Sequence, residues 1–163
     1  MSRDKIDGNA VIQIARRNPH ITIIEPTTMP YSPPNGRKRG SPEHDEQVKL
    51  FQWAEQNLDR WDGVLWDMFS IPNAGKRSKR VGAYMVAEGL KAGIPDLFLP
   101  VPVGTYPGLF IEMKVNGNRP SAEQVKRIGR LRLRGYRVVV AYSASEAQGW
   151  IELYLDGKLP LDK

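Results

Sequence analysis

Two short apolar runs each carry a carboxylate: Gly93-Ile-Pro-Asp96-Leu-Phe-Leu-Pro100 and Gly108-Leu-Phe-Ile-Glu112-Met-Lys114, the second adding a lysine two residues on. Read as strands, residues two apart share one face, so Glu112 and Lys114 point the same way and Met113 the other. A hairpin centred on Gly104 sets Asp96 opposite Glu112. Directly opposed carboxylates sit about 5 Å apart at Cβ and repel, which a divalent cation between them relieves. Two such side chains with a neighbouring main-chain carbonyl suit Mg²⁺, which keeps several waters and takes one or two carboxylates. The metal would acidify a bound water and stabilise charge on a phosphoryl oxygen. Lys114 could orient that water, or help deprotonate it if the metal lowered its pKa. The chemistry is hydrolysis of a phosphodiester. The competing reading is a surface ion pair on a sheet edge, Glu112 with Lys114 or Arg119. Acid-x-Lys is expected roughly once by chance in a chain of this composition. It occurs again as Asp156-Gly-Lys158, in a turn with no apolar run, so context carries the signal.

Helices must position these strands. Ser41 is an N-cap and Pro42 fits the first helical turn. Gln47, Phe51, Ala54 and Leu58 then recur at helical spacing, widened by Val48 and Leu50. Glu43 lies on this stripe four residues before Gln47, and Glu46 lies off it, toward the Leu50/Trp53 edge. Glu43 also reads as a first-turn carboxylate favouring the helix dipole. Residues 64–69 predict a strand, and residues 71–75 a turn. Lys76, Arg77, Lys79 and Arg80 put four cations into five residues. They lead into a helix marked by Val81, Tyr84, Met85 and Leu90 and ended by Gly93. A basic loop at a helix N-terminus suits phosphate binding, and a solvated charged turn is the plainer reading.

Beyond the two acid-bearing strands, Ser121 and Gln124 fit a capping box. Val125, Ile128 and Leu131 face inward on the helix that follows, and Arg127, Arg130, Arg132 and Arg134 make it basic. Residues 136–142 are apolar nearly throughout, a strand buried on both faces. Ser143 and Glu146 start a last helix with an inward stripe of Ala147, Trp150, Ile151, Tyr154 and Leu155. The order is α-β-α-β-β-α-β-α. Its final strand-helix-strand step implies a right-handed parallel unit, so the fold class is α/β, a mixed sheet flanked by helices.

Composition narrows the partners. The 163 residues fit one domain, and 24 basic against 18 acidic side chains give +6. With a pI near 9.7, nucleic acid is the first acidic partner to consider. There is no cysteine, and His20 and His44 are the only histidines. Disulfides, thiolate metal sites and histidine-based triads are thereby disfavoured. No apolar run reaches the roughly 20 residues of a membrane span, and no signal-peptide pattern opens the chain. The expected location is cytoplasmic. Residues 1–40 read as a partly flexible N-terminal extension, with short strands at 11–14 and 21–24. A Pro/Gly/Ser-rich basic stretch over 26–42 includes Arg37-Lys38-Arg39. The ordered domain spans 41–158, and 159–163 form a tail.

Pro95-Asp96 followed by Glu112-Met113-Lys114 resembles the signature of the PD-(D/E)XK nuclease superfamily. The surrounding motifs are Ser41-Pro-Glu43-His-Asp-Glu-Gln47, Ile71-Pro-Asn73, Lys91-Ala-Gly93-Ile-Pro95-Asp96, Gly108-Leu-Phe-Ile-Glu112-Met-Lys114 and Pro120-Ser-Ala-Glu-Gln124. Together, over about residues 41–156, they are similar to the VRR-NUC branch, in particular to its small stand-alone members in phages and bacteria. The resemblance implies a restriction-endonuclease-like core. It implies metal ligation by Asp96, Glu112 and the carbonyl of Met113, with Glu43 joining through water, and a catalytic role for Lys114. The metal would be Mg²⁺, with Mn²⁺ as a substitute.

Glu43 and Gln47 match a helix-borne acid and a glutamine four residues on, with Glu46 as the fallback acid. Gln124 matches a position near the active site. That role competes with its cap, and both hold only if the side chain does not fold back on its own helix. Lys76, Arg77, Lys79, Arg80, Asn73 and Gln47 are the expected DNA contacts. The resemblance also implies branched DNA, such as four-way junctions or flaps, and a homodimer, whose two-fold axis suits a symmetric junction. If the protein is phage-encoded, its place is the bacterial host cell. Two other readings stand beside a DNA endonuclease. One is a non-catalytic DNA-binding protein gripping phosphates through residues 76–80 and the arginines of 127–134. The other is an RNA-directed nuclease of the same fold, disfavoured because few aromatics accompany the basic clusters.

Overall fold

Helix α1 (Pro42–Gln56) begins where its cap demands: the Ser41 side chain accepts from the His44 N–H, and Pro42 occupies the first turn. The computed structural model describes residues 41–72, 79–115 and 117–159. After α1 come a 3-10 helix (Arg60–Asp67), β1 (Phe69–Ser70), α2 (Lys79–Ala87), β2 (Leu97–Leu99) and β3 (Leu109–Met113). The chain continues through α3 (Ala122–Leu133), β4 (Arg137–Ala141) and α4 (Ala144–Leu155). This is the α-β-α-β-β-α-β-α order expected from the sequence. The strands form one mixed sheet in the order β1-β2-β3-β4. β1 and β3 each pair antiparallel with β2, and β4 pairs parallel with β3 across the α3 crossover. The short strands expected at 11–14 and 21–24 and the basic triplet 37–39 lie outside the described residues. Among the described residues, no helix is long and apolar enough to cross a membrane.

β3 is buried along its whole length, so its alternation distributes side chains between two cores. Leu109, Ile111 and Met113 pack with Leu50 and Ala54 of α1 and with Ala147, Ile151 and Tyr154 of α4. Phe110 faces the other way, with Val138 and with Ile128 of α3. Glu112, two residues on, shares the Phe110 face.

Three local expectations are corrected. Residues 64–69 were expected as a strand, but Arg60–Asp67 is a 3-10 helix and the strand shrinks to Phe69–Ser70. A short apolar run cannot by periodicity alone decide between strand and helix. Here tertiary ties decide it. Trp61 and Asp62 adopt φ of 54° and 55°. The Trp61 indole donates to Asp156 at 2.8 Å, and the Arg60 guanidinium lies 3.9 Å from the centre of the Trp61 ring. Helix α2 ends at Ala87 rather than at Gly93. Gly89, at φ 105°, is the left-handed residue that closes it. The Gly89 N–H donates to Val86 O and the Leu90 N–H to Met85 O, the paired bonds of a Schellman end. Finally, Val125 was expected to face inward and is exposed. The inward side of α3 runs through Ile128 and the partly buried Leu131.

Candidate active site

The register of β2 on β3 pairs Leu97 with Ile111, Phe98 with Phe110 and Leu99 with Leu109. Continued by one residue, it sets Asp96 opposite Glu112, as the hairpin reading required. Asp96 is held from both sides. Its carbonyl accepts from the Ile71 N–H at 2.7 Å, and its Oδ2 accepts from the Met113 N–H at 2.9 Å. The anchoring Met113 N–H had no sequence signal, because every residue but proline supplies one.

Glu112 is completely buried. Its Oε1 accepts from Lys114 Nζ at 2.5 Å and also from Gln124 Nε2 in a short hydrogen bond. Lys114 Nζ donates as well to the Met113 carbonyl at 2.9 Å and lies 3.8 Å from Glu43 Oε1. Glu43, Asp96, Glu112, Lys114 and Gln124 therefore converge on one point, although they come from α1, the start of β2, β3 and its end, and α3.

The reach of Gln124 follows from matched spacings. A helical step of four residues advances about 6 Å and a strand step of two residues about 6.6 Å. With Ile128 packed near Phe110, Gln124 falls beside Glu112. Its two roles are not exclusive. Gln124 Oε1 accepts from the Ser121 N–H at 2.8 Å while the Ser121 hydroxyl accepts from the Gln124 N–H at 3.3 Å, completing the capping box. The amide nitrogen remains free to reach Glu112. The expectation that a side chain folded back on its helix could not serve the site is thus overturned: the amide has two ends, and each does one task. Gly93 helps to seat this turn. It has φ 76°, and a Cβ there would stand 2.6 Å from the Glu123 carbonyl oxygen. The helix-stop reading of this glycine hid that close approach.

Glu46 goes elsewhere. Its Oε2 accepts from the Ala144 N–H at 2.7 Å, and its Oε1 pairs with Lys49 at 2.5 Å. The Ala144 N–H and then Lys49 hold its carboxyl below the usual range. The reason lies in the packing of α1. Leu50 and Ala54 are its buried residues, with Phe51 and Trp53 flanking. The inward face is therefore rotated toward the Glu46 edge, and Glu46 caps the first turn of α4. Gln47 is half-buried one turn beyond Glu43, and Arg80 is exposed in the first turn of α2. Asn73, Lys76, Arg77 and the side chain of Lys79 lie outside what is described.

Burial dominates the electrostatics. Desolvation pushes Glu112 up to about 7 despite the hydrogen bond from Lys114, and the charge of Asp96 adds to the rise. Desolvation also raises Asp96, against the Met113 N–H and Lys114. For Lys114, burial pulls the pKa down, but the hydrogen bond and charge of Glu112 and the charges of Glu43 and Asp96 outweigh it. Without a metal, Lys114 is an ammonium group and a hydrogen-bond donor.

The donor set fits a small hard cation. Glu112 Oε2 is buried with no hydrogen-bond partner, and Asp96 lies opposite Glu112 across the β2–β3 register. The lysine ammonium already stands on Glu112 Oε1 and the Met113 carbonyl, so these atoms are gathered around positive charge. Among the described residues, no three His, Cys, Asp or Glu side chains could hold a metal by themselves. The set is two carboxylates, a carbonyl and solvent, which suits Mg²⁺.

A family model described as "VRR-NUC domain" matches residues 41–145. Among solved structures, one titled "VRR_NUC domain protein" is similar with a TM-score of 0.62 and 28% identity, covering 73% of this chain and 92% of its own. Another, titled "VRR_NUC domain", has a TM-score of 0.41 and 23% identity, covering 67% of this chain and 97% of its own. No curated protein matches the chain.

Proposed function

Because the chain belongs to the VRR-NUC domain family, a nuclease-type DNA-processing family, we propose that it is a Mg²⁺-dependent endonuclease hydrolysing phosphodiester bonds in branched DNA. The observation that carries this reading is the convergence of Asp96, Lys114 and Gln124 on the buried Glu112, whose Oε1 takes both Lys114 and Gln124 while its Oε2 is left without a hydrogen-bond partner. Asp96, Glu112 and the Met113 carbonyl would hold the ion, with Glu43 reaching it through water and Mn²⁺ able to replace Mg²⁺. When bound, the metal supplies an acidified water and stabilisation of charge on the phosphoryl oxygens. Lys114, whose Nζ stands on Glu112 Oε1 and the Met113 carbonyl, would orient the attacking water and donate to the phosphate. Gln124 fixes the Glu112 carboxylate by its Oε1, leaving Oε2 for the ion.

Arg80, with Lys76, Arg77, Lys79, Asn73 and Gln47, would contact the DNA backbone. A homodimer would present two such sites to a four-way junction or related branch. The protein would act in the cytoplasm, in the bacterial host cell if it is phage-encoded. The purely DNA-binding alternative gives no use for a buried Glu112–Lys114 pair, whose desolvation offsets its attraction.

The test is a panel of linear, nicked, flap and four-way DNA with and without Mg²⁺ or Mn²⁺. Cleavage is expected only with metal and preferentially on branched substrates. Asp96→Ala and Lys114→Ala should each abolish cleavage and leave DNA binding intact. A protein carrying both substitutions that still cut would rule the assignment out.

A further inference from the structure

Beside the site, a cavity of about 140 Å³ opens between Ala92 and one flank of α3, lined also by Glu123, Lys126, Arg127 and Arg130. The four charged residues recur at helical spacing and so share a face. Three cations against one acid leave the cleft positive. None of the three cations makes an ion pair with a described residue. The arginines of this basic helix thus divide by role. Arg132 donates to the Val138 carbonyl at 2.8 Å and serves the fold. Arg127 and Arg130 are left to the cleft.

Its position relates it to the site. Ala92 precedes Gly93, whose backbone is pressed against Glu123 and Gln124, and Gln124 holds Glu112. Arg127 and Arg130 follow Gln124 by three and six residues, or about 4.5 and 9 Å along the helix axis. One DNA strand carries a phosphate for roughly every 3.4 Å of duplex axis. The cleft is therefore within a few nucleotides of a phosphate presented to Glu112. Guanidinium groups bind phosphate oxygens in paired, charge-assisted hydrogen bonds.

We propose that this cleft is a phosphate-binding subsite that grips an internal phosphodiester of the cleaved strand next to the scissile bond. The proposal rests on the nuclease reading for the identity of the strand. The subsite's work is to fix strand register, so that one phosphodiester and not its neighbours meets the acids.

The experiment uses the full chain carrying Arg127→Gln and Arg130→Gln together, with Arg134→Gln, exposed at the end of α3, as the charge control. DNA affinity is measured without metal across a salt series, on substrates with single neutral methylphosphonates placed one at a time around the cut. The double variant should bind about tenfold more weakly, and its log–log salt slope should be shallower by about 1–2. In the unmodified protein, one methylphosphonate within a few nucleotides of the cut should weaken binding. That position should be silent in the double variant and still sensitive in Arg134→Gln. The double variant's KM for cleavage should rise while its kcat at saturation changes less than about twofold.

An unchanged slope, or no position whose effect vanishes in the double variant, overturns the proposal. So does coupling confined to a terminal phosphate, since the cleft would then read a strand end. The two readings fail separately. Coupling without metal-dependent cleavage keeps the subsite and removes the nuclease. Cleavage without coupling does the reverse.

Discussion

The chain contains the same triplet twice, and the two copies behave oppositely. Glu112-Met-Lys114 and Asp156-Gly-Lys158 each make an ion pair two residues apart, at 2.5 and 3.0 Å. The Glu112 side chain is 0% exposed and that of Lys114 10%; for Asp156 and Lys158 the values are 32% and 69%. Burial drives Glu112 upward to about 7. At the end of α4, the Trp61 indole and then Lys158 hold Asp156 below its usual range. The first pair sits on a fully buried strand, with Asp96 and Gln124 brought in from elsewhere. The second ties a turn to a helix end. Spacing along the chain is common to both, and desolvation with long-range partners separates them.

The largest effect should come from removing the carboxylate of each triplet in turn. Glu112→Gln keeps the size of the side chain and its capacity to accept from Lys114, but loses the charge. Metal-dependent cleavage should fall at least about 10³-fold, a scale reached by removing single groups that stabilise a charged transition state. Asp156→Asn should leave the rate within about twofold. Single-turnover assays on one branched substrate measure both. Equal losses would mean that the two triplets share a function, contrary to their environments.

Gln124 sharpens the comparison, since the second triplet has no counterpart to it. Gln124→Ala removes one half of the capping box and the bond to Glu112 together. Cleavage should drop about 10- to 100-fold, and stability by about 1 kcal/mol. Gln124→Glu keeps an acceptor for the Ser121 N–H but opposes a second carboxylate to Glu112. It should preserve the cap and lose cleavage. Thermal unfolding beside rate measurement separates the roles. If Gln124→Glu cleaves normally, the amide nitrogen is not needed at Glu112.

Much of this architecture was legible because period and punctuation agreed. The order of elements, the hairpin register and the caps at Ser41, Ser121 and Ser143 follow from local sequence, as does the inward stripe of α4. What failed did so for tertiary reasons. The apolar run at Val64 looked like a strand because nothing local announces that Trp61 will reach Asp156. Glu46 and Glu43 could be ranked by helical phase only approximately. The face of α1 is set by α4 and β3, and Glu46 is taken by an N–H almost a hundred residues away. The cleft beside α3 was visible only as a basic helix. Which arginines serve the fold depends on where Val138 lies. The convergence of the acids could be anticipated from a hairpin, but the second end of Gln124 could not.

A further effect is on the metal-free fold, and its sign differs between the triplets. Glu112 has a folded-state pKa of about 7, above the usual carboxylate range, a value that already includes the attraction of Lys114. The unfolded chain therefore releases this proton first. The favourable contribution of the protonated group is whole below the ordinary carboxylate pKa and is lost as pH rises to about 7. Glu112→Gln, fixed in a neutral form, should escape this loss. With a chelator present, its stability relative to the parent should grow between about pH 5 and 8 by about 1–3 kcal/mol. The change across pH is the readout, because any mismatch of amide for acid is the same throughout. Asp156 has the opposite sign. Its lowered pKa gives a contribution present above the ordinary carboxylate range and lost on acidification. Asp156→Asn should therefore narrow its deficit against the parent as pH falls below about 4 and show no trend between pH 5 and 8. Denaturant midpoints across pH test both. A Glu112→Gln difference that stayed flat with pH would mean that the buried carboxylate is not strained by its burial, and the contrast between the triplets would lose its electrostatic basis.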